Sequence, residues 1–218
     1  ERAIQMGFPG ERMWHLPVGA DPERFRPGNR SKEILTTWNL DPQKLTVLYI
    51  GQLEGAAHAH LLIQAASVVL EKYPNAQFAI VGGGEQEQAL REEAGRSPAR
   101  DSICMTGYID SGLIPEIVGS ADICVACFED NPATRAKSPL KIAEYLVSGK
   151  PNVASRVGEV AWMIDGCGIV VEPGSASALA EGILAYAAAP ERRENDGRNA
   201  RLRAMERFTW EKGADTLE

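Results

Sequence analysis

Two charged residues, Lys141 and Glu144, stand three positions apart in the otherwise largely apolar stretch Ser138 to Ser155, S-P-L-K-I-A-E-Y-L-V-S-G-K-P-N-V-A-S. Ser138 is a good N-cap and Pro139 suits the first helical position, where a missing N–H costs nothing. A lysine in the first turn faces the positive end of the helix dipole, the wrong end for a cation. Two readings relieve that conflict. An anion can bind the free N–H groups of Leu140 and Lys141, or Glu144 can neutralise Lys141 as an i,i+3 pair. Both can hold at once, because helical side chains lean toward the N-terminus and bring Glu144 near the same turn. An anion seat with a carboxylate beside it suits the phosphates and ribose hydroxyls of a nucleotide.

The elements that hold this pair follow from the pattern around it. Gly149 ends the helix in a left-handed conformation and Pro151 prevents its continuation, so that Pro151 to Ser155 reads as a short buried strand. Upstream, Leu45 to Gly51 is a continuous apolar run closing on glycine, the pattern of a strand covered on both faces. His60 to Lys72 has apolar residues at helical spacing. Further strands are expected at Gln77 to Val81, Ser102 to Thr106, Asp122 to Phe128 and Gly168 to Val171. Helices are expected at Glu85 to Ala94, Pro115 to Gly119, Ser175 to Ala188 and Glu191 to Arg207. Alternation with short connections implies a doubly wound, Rossmann-like α/β fold with a parallel sheet. Ligands in such a fold lie beyond the carboxyl ends of the strands, so the loops after Gly51, Val81, Thr106, Phe128 and Ser155 should share one rim. Residues 1–34 read as a lead-in rather than core, 35–207 as the domain and 208–218 as a tail.

Composition narrows the function classes. A net charge of −7 over 218 residues and a pI near 5.2 argue against nucleic acid as a partner, since such proteins usually present a basic face. No apolar run reaches the ~20 residues needed to span a bilayer. Cys124 and Cys127 form a C-x-x-C, but it lies within I-C-V-A-C-F, which reads as buried strand without the turn that redox or zinc motifs need. No second cysteine pair or nearby histidine completes a zinc set, and His15, His58 and His60 are too scattered for a metal site. Free cysteine packs as a small hydrophobe, and reduced thiols fit a cytosolic setting. Gly82-Gly83-Gly84 reads mainly as a tight turn into the next helix, being weak evidence for a phosphate loop on its own.

The landmarks L-P-V-G-A-D-P-E-R-F-R-P (16–27), Gly51-Gln52-Leu53, Ala79 to Gly84, and Ala121-Asp122 through Ser155, with Phe208-Thr209-Trp210 near the end, resemble in order the nucleotide-sugar-binding half of GT-B glycosyltransferases, in particular the retaining family 4. The resemblance implies a single GT-B C-terminal domain. It implies a UDP- or GDP-sugar as donor with no metal or other cofactor. A hexosyl unit would pass to an acceptor sugar or lipid held by an N-terminal domain absent here, and the isolated domain would be inactive. It implies a cytoplasmic setting, extending to the inner face of the cell membrane if the full-length enzyme associates peripherally. Glu144 aligns with the second acid of the family's paired-glutamate motif, which holds the donor ribose. The N–H groups of Leu140 and Lys141, at the turn opened by Ser138, would face the diphosphate, Tyr108 and Ile109 would read the base, and Gly51 would let backbone approach phosphate.

Three positions depart from the family pattern. Its arginine after the first-strand glycine is Gln52, the lysine five residues later is Ala57, and the first acid of the pair is Ala136. Removing both cations should weaken electrostatic stabilisation of the departing diphosphate. Arg135, Lys137 and Lys141 flank the anion seat and are candidates to compensate. The alternatives are a non-catalytic nucleotide-sugar-binding domain of the same fold, or a sugar-nucleotide epimerase. A dinucleotide oxidoreductase fits least, since no G-x-G-x-x-G follows the first strand.

Overall fold

Each central strand alternates its side chains between two apolar layers, and this fixes the architecture. The computed structural model describes residues 2–28, 30–55 and 58–217. Strands β1 (Leu45–Ile50), β2 (Ala76–Val81), β3 (Ile103–Gly107), β4 (Ile123–Ala126), β5 (Asn152–Ser155) and β6 (Gly168–Val171) pair in parallel in the order β3-β2-β1-β4-β5-β6. The helices are α1 (Arg2–Gln5), α2 (Lys32–Thr37), α3 (His60–Lys72), α4 (Glu87–Arg96), α5 (Ile114–Gly119), α6 (Leu140–Val147), α7 (Val160–Met163), α8 (Ala176–Ala187), α9 (Pro190–Arg207) and α10 (Trp210–Asp215). This is the doubly wound Rossmann-like order expected from the alternation, and its reversal lies between β1 and β4.

On one face Leu48, Ala79, Cys124 and Ala154 pack with Ile117 of α5, Ile142 and Leu146 of α6, and Ala200 and Ala204 of α9. On the other, Val47, Tyr49, Phe78, Ile80, Val125 and Val153 meet α3, α4 and α8 through Leu62, Val69, Leu90, Leu179 and Ile183. The four cysteines are free. Cys124 serves the first layer and Cys127, just beyond β4, the second.

The segment before β1 is more than a lead-in. Ala20, Phe25, Leu35 and Leu40 are buried in the first layer. Ala20 forms a parallel bridge with Thr209, and its N–H donates to the Phe208 carbonyl at 2.8 Å. Turn-rich sequence hid this contribution, because each buried residue there stands alone rather than in a periodic run. Helix α4 starts at Glu87 instead of Glu85, and α2 and α7 were not anticipated. Both are short, and α2 buries only Leu35.

The glycine triplet makes the expected turn from β2 into α4, the Glu87 N–H donating to the Gly84 carbonyl at 3.0 Å. Its backbone also supports the loop after β1. The Leu53 N–H donates to the Gly83 carbonyl at 2.9 Å, and the Gln86 N–H to the Leu53 carbonyl at 2.8 Å. A Cβ on Gly82 (φ +135°) would stand 2.0 Å from the Gly51 carbonyl oxygen, and one on Gly84 2.6 Å from that of Leu53. Only glycine lets the two loops lie this close.

Candidate functional site

Beyond the carboxyl ends of β1 and β4, at the sheet's reversal point, a cavity of about 280 Å³ is lined by Tyr49, Gly51, Gln52, Glu54, Gly55, Phe128, Lys137 and Lys141. A roomier groove of about 600 Å³ lies at the opposite, amino ends of β4 and β5, against α9. Two of its cations are held by backbone: Lys150 Nζ donates to the Gly119 and Ala121 carbonyls at 2.7 and 2.9 Å, and Arg201 to those of Phe25 and Val147 at 3.2 and 2.6 Å. Position at the carboxyl ends of the strands, where the strand order reverses, favours the smaller cavity.

Helix α6 is fastened to this rim. The Ile50 N–H, left without a strand partner near the end of β1, donates to Tyr145 Oη at 2.9 Å. The helix is amphipathic: Ile142, Ala143, Tyr145, Leu146 and Val147 are buried while Leu140 is exposed. Gly149 closes it at φ +69° as expected. Its start differs from the sequence expectation. Pro139 is the N-cap residue in an extended conformation, and Ser138 caps nothing. Ser138 Oγ is instead buried without a hydrogen-bond partner among the described residues. The first bond of the turn runs from the Ile142 N–H to the Pro139 carbonyl at 3.0 Å, which leaves the N–H groups of Leu140 and Lys141 ahead of the intrahelical ladder.

Lys141 reaches from this first turn across the end of β1. Its Nζ lies 4.1 Å from the centroid of the Tyr49 ring and 2.5 Å from where a Cβ on Gly51 would stand. It makes no contact pair with Glu144. Burial, reinforced by Lys137 and opposed by Cys127 and Glu144, lowers the Lys141 ammonium to about 8. Lys137 Nζ sits 4.9 Å from the Phe128 ring centroid, and burial lowers its pKa as well. The loop that delivers Lys137 is set by Thr134, fully buried, whose hydroxyl donates to the Glu129 carbonyl at 2.6 Å.

Glu144 is half-buried one turn on, and burial raises its pKa against the pull of Arg24 first and Lys141 second. Arg24, from the segment before β1, also donates to the Ser111 carbonyl after β3. Tyr108 is 71% exposed, with its ring edge lying where a Cβ on Gly83 would be. Ile109 packs on the first apolar layer.

Thus Gly51, Gln52, Lys137 and Lys141 share one cavity, with Leu140 and Glu144 on the helix that borders it and Ser138 just before its N-cap. Arg135 is not among the lining residues. It is exposed and gives a bidentate pair to Asp130 at 2.6 and 2.8 Å. Ala136 is exposed, and Ala57 lies outside the described residues. Sequence reasoning missed Tyr49 and Phe128. Their signal was an aromatic two positions before Gly51 and another directly after the fourth strand.

His58 and His60 approach the same carboxylate oxygen of Glu129 at 3.7 and 3.6 Å. Among the described residues, however, no group of three His, Cys, Asp or Glu could hold a metal ion. None of the described helices is long and apolar enough to cross a membrane.

The strand order and the cavity at its reversal define a Rossmann-like α/β domain of the kind built into GT-B glycosyltransferases. The chain belongs to the family Glycosyl transferases group 1, whose profile matches residues 31–203. Among its relatives, the alpha-D-kanosaminyltransferase of Streptomyces kanamyceticus is 26% identical over 215 residues, covering 96% of this chain and 54% of that protein. The phosphatidyl-myo-inositol mannosyltransferase of Mycobacterium tuberculosis is 29% identical over 227 residues, covering 96% and 53%. The chain therefore spans about half the length of the relatives it matches. In structure it resembles Anabaena HepE, solved in complex with UDP and glucose, with a TM-score of 0.80, 20% identity and coverage of 98% and 58%. It also resembles the C-terminal domain of a group 1 family protein, LpcC of Francisella tularensis, with a TM-score of 0.73, 21% identity and coverage of 88% of this chain and all of that one.

Proposed function

We propose that this chain is the C-terminal, donor-binding half of a retaining family 4 glycosyltransferase. It would bind a UDP- or GDP-sugar without a metal, and the complete enzyme would transfer the hexosyl unit to an acceptor hydroxyl held by an N-terminal half outside this chain. Nucleoside diphosphate and a proton are the other products. The observation that carries the reading is the cavity between β1 and β4, with two ammonium groups and the open first turn of α6 on its border. The half-length match to transferases supports it, as does the coverage of an isolated C-terminal domain in full.

The parts divide the donor between them. The N–H groups of Leu140 and Lys141 point their partial positive charge at phosphate oxygens. Glu144, one turn along, accepts from the two hydroxyls of the ribose, a task in which a carboxylate can serve both. Tyr108 and Ile109 border the base. The ribose assignment is tested with Glu144→Gln, which keeps the shape and removes the charge. Calorimetric titration should show UDP or GDP affinity falling about tenfold while the 2′,3′-dideoxy analogue is unaffected. Equal weakening of both nucleotides would remove Glu144 from the ribose site.

A second reading, a non-catalytic nucleotide-sugar-binding domain, is favoured by the uncharged side chains of Gln52 and Ala136. Sugar transfer by this chain joined to its N-terminal half would decide against it.

A further inference from the structure

We propose that Lys141 is the diphosphate-pairing cation of this site, supplied from helix α6 in place of the charges that the loop after β1 lacks. The inference deepens the donor-binding reading above and rests on it. Among the described residues the loop brings neutral Gln52 and acidic Glu54 to the cavity and no cation, and Arg135 is turned to Asp130. Positive charge at the cavity therefore comes from the α6 side, through Lys137 and Lys141.

Three observations single out Lys141. Its route is built for it: the ammonium passes where any side chain at Gly51 would stand, and the Tyr49 ring supports it from beneath. Its charge is unspent, because Nζ has no hydrogen bond or ion pair among the described residues. The contrast with Lys150 is informative. That lysine, just past the other end of the same helix, is also partly withdrawn from water, yet it is held by two backbone carbonyls. Lys141 is half-buried, and withdrawing an ammonium partly from water without a partner costs stability, whereas a methionine would fill the same space without that cost. Finally, Lys141 has a second ammonium beside it, since Lys137 lines the same cavity. An anion of two or more charges between them would relieve both the desolvation and the mutual repulsion.

The groups acting on Lys141 are Tyr49 from β1, Cys127 after β4, Lys137 from the following loop and Glu144 from its own helix, and Glu54 from the loop after β1 lines the same cavity. With the unliganded ammonium at about 8, diphosphate affinity should be highest below that pH and fall as the pH rises through it.

The test is calorimetric titration of the 218-residue chain and of Lys141→Met, Gln52→Arg and the double variant. The probes are UDP, GDP, uridine, guanosine and inorganic pyrophosphate, at about pH 7 and about pH 9.5, on either side of the lysine's titration, with thermal melts run in parallel. For the diphosphate that the wild type binds, Lys141→Met should weaken binding about 10- to 100-fold at neutral pH and leave the matching nucleoside unchanged. Wild-type binding should decline toward the variant's in alkali, and Gln52→Arg should restore much of the loss. Diphosphate affinity within about threefold of wild type in Lys141→Met, well short of the loss of a charged contact, or a flat wild-type pH profile, would overturn the inference while leaving the donor-binding reading intact. Failure of wild type to bind any of the three phosphates would sink both. Should Lys141→Met melt early, Lys141→Arg decides the question, since arginine keeps the charge and does not titrate in this range: diphosphate affinity retained with a smaller alkaline decline than wild type supports the inference, and a decline equal to wild type's overturns it.

Discussion

Replacing Lys141 by methionine should make the unliganded chain more stable at neutral pH, and the gain should vanish in alkali. The folded-state ammonium sits near 8 against an ordinary 10.5, so folding favours its neutral form. The sign follows from linkage. A base whose pKa falls on folding carries a penalty that is complete below the folded value, shrinks as pH rises, and is gone above the unfolded value. The displacement sets an upper limit of about 3 kcal/mol on that penalty. The Tyr49 ring, 4.1 Å away, returns about 1 kcal/mol to the charged form. Methionine has a similar length and no charge, so the variant should gain about 1–3 kcal/mol at pH 7. Urea unfolding of both proteins at about pH 7, 8.5 and 10.5 reads this directly, the difference in midpoint multiplied by a common slope. Cys127 and Lys137 titrate within reach of the same window but are present in both proteins, so the difference isolates Lys141. Saturating diphosphate should reverse the order at neutral pH by stabilising the wild type more. A variant less stable than wild type at neutral pH, or a gap independent of pH, would refute the claim that Lys141 is a half-buried and unpaired cation.

Two further outcomes test the frame around the site. Gly82→Ala adds a Cβ 2.0 Å from the Gly51 carbonyl oxygen at φ +135°, so calorimetry should show a loss of about 3 kcal/mol or more; unchanged melting would mean the two loops are not stacked in this way. Ellman's reagent in mild alkali should react readily with no thiol but Cys104 in the native chain and with all four after unfolding, because burial pushes Cys127 to about 11 and Cys124 and Cys167 to about 12; rapid native labelling of a second thiol would show that the layers open.

The layered fold could be read from the sequence because its signals are local. Leu45–Ile50 and Ala76–Val81 are apolar at every or nearly every position and end in glycine, and His60–Lys72 repeats its apolar residues at the helical interval. Each of those patterns has one physical reading. Where one residue carries the packing, as Leu35 does in α2, no period exists to detect. The start of α6 went one residue astray for a related reason. Ser-Pro is a strong capping signature, but Pro139 took the extended conformation and left the Ser138 hydroxyl buried without a partner among the described residues. The cavity was legible only in part. Gly51, Gln52 and Lys141 carry their chemistry openly, whereas the Tyr49–Lys141 contact joins positions far apart in the chain and depends on how β1 and α6 are spaced. The same limit hides the second use of the glycine triplet, since a turn whose backbone supports another loop looks identical in sequence to one that does not.

Moving a cation from a loop to a helix changes what the charge can do. An exposed loop arginine is always ionised and costs little while it waits for a ligand. A lysine beneath a glycine and above a ring is held in one place, and its charge is uncompensated until an anion arrives. Such a site sacrifices folding stability for orientation already established before binding. It also acquires a titration near 8 that an arginine would not have. The three departures from the family pattern then need not signal decay of the site. On the proposed reading the charge that Gln52 lacks is supplied from α6, and the cost of that arrangement should appear as alkaline stabilisation of the empty chain.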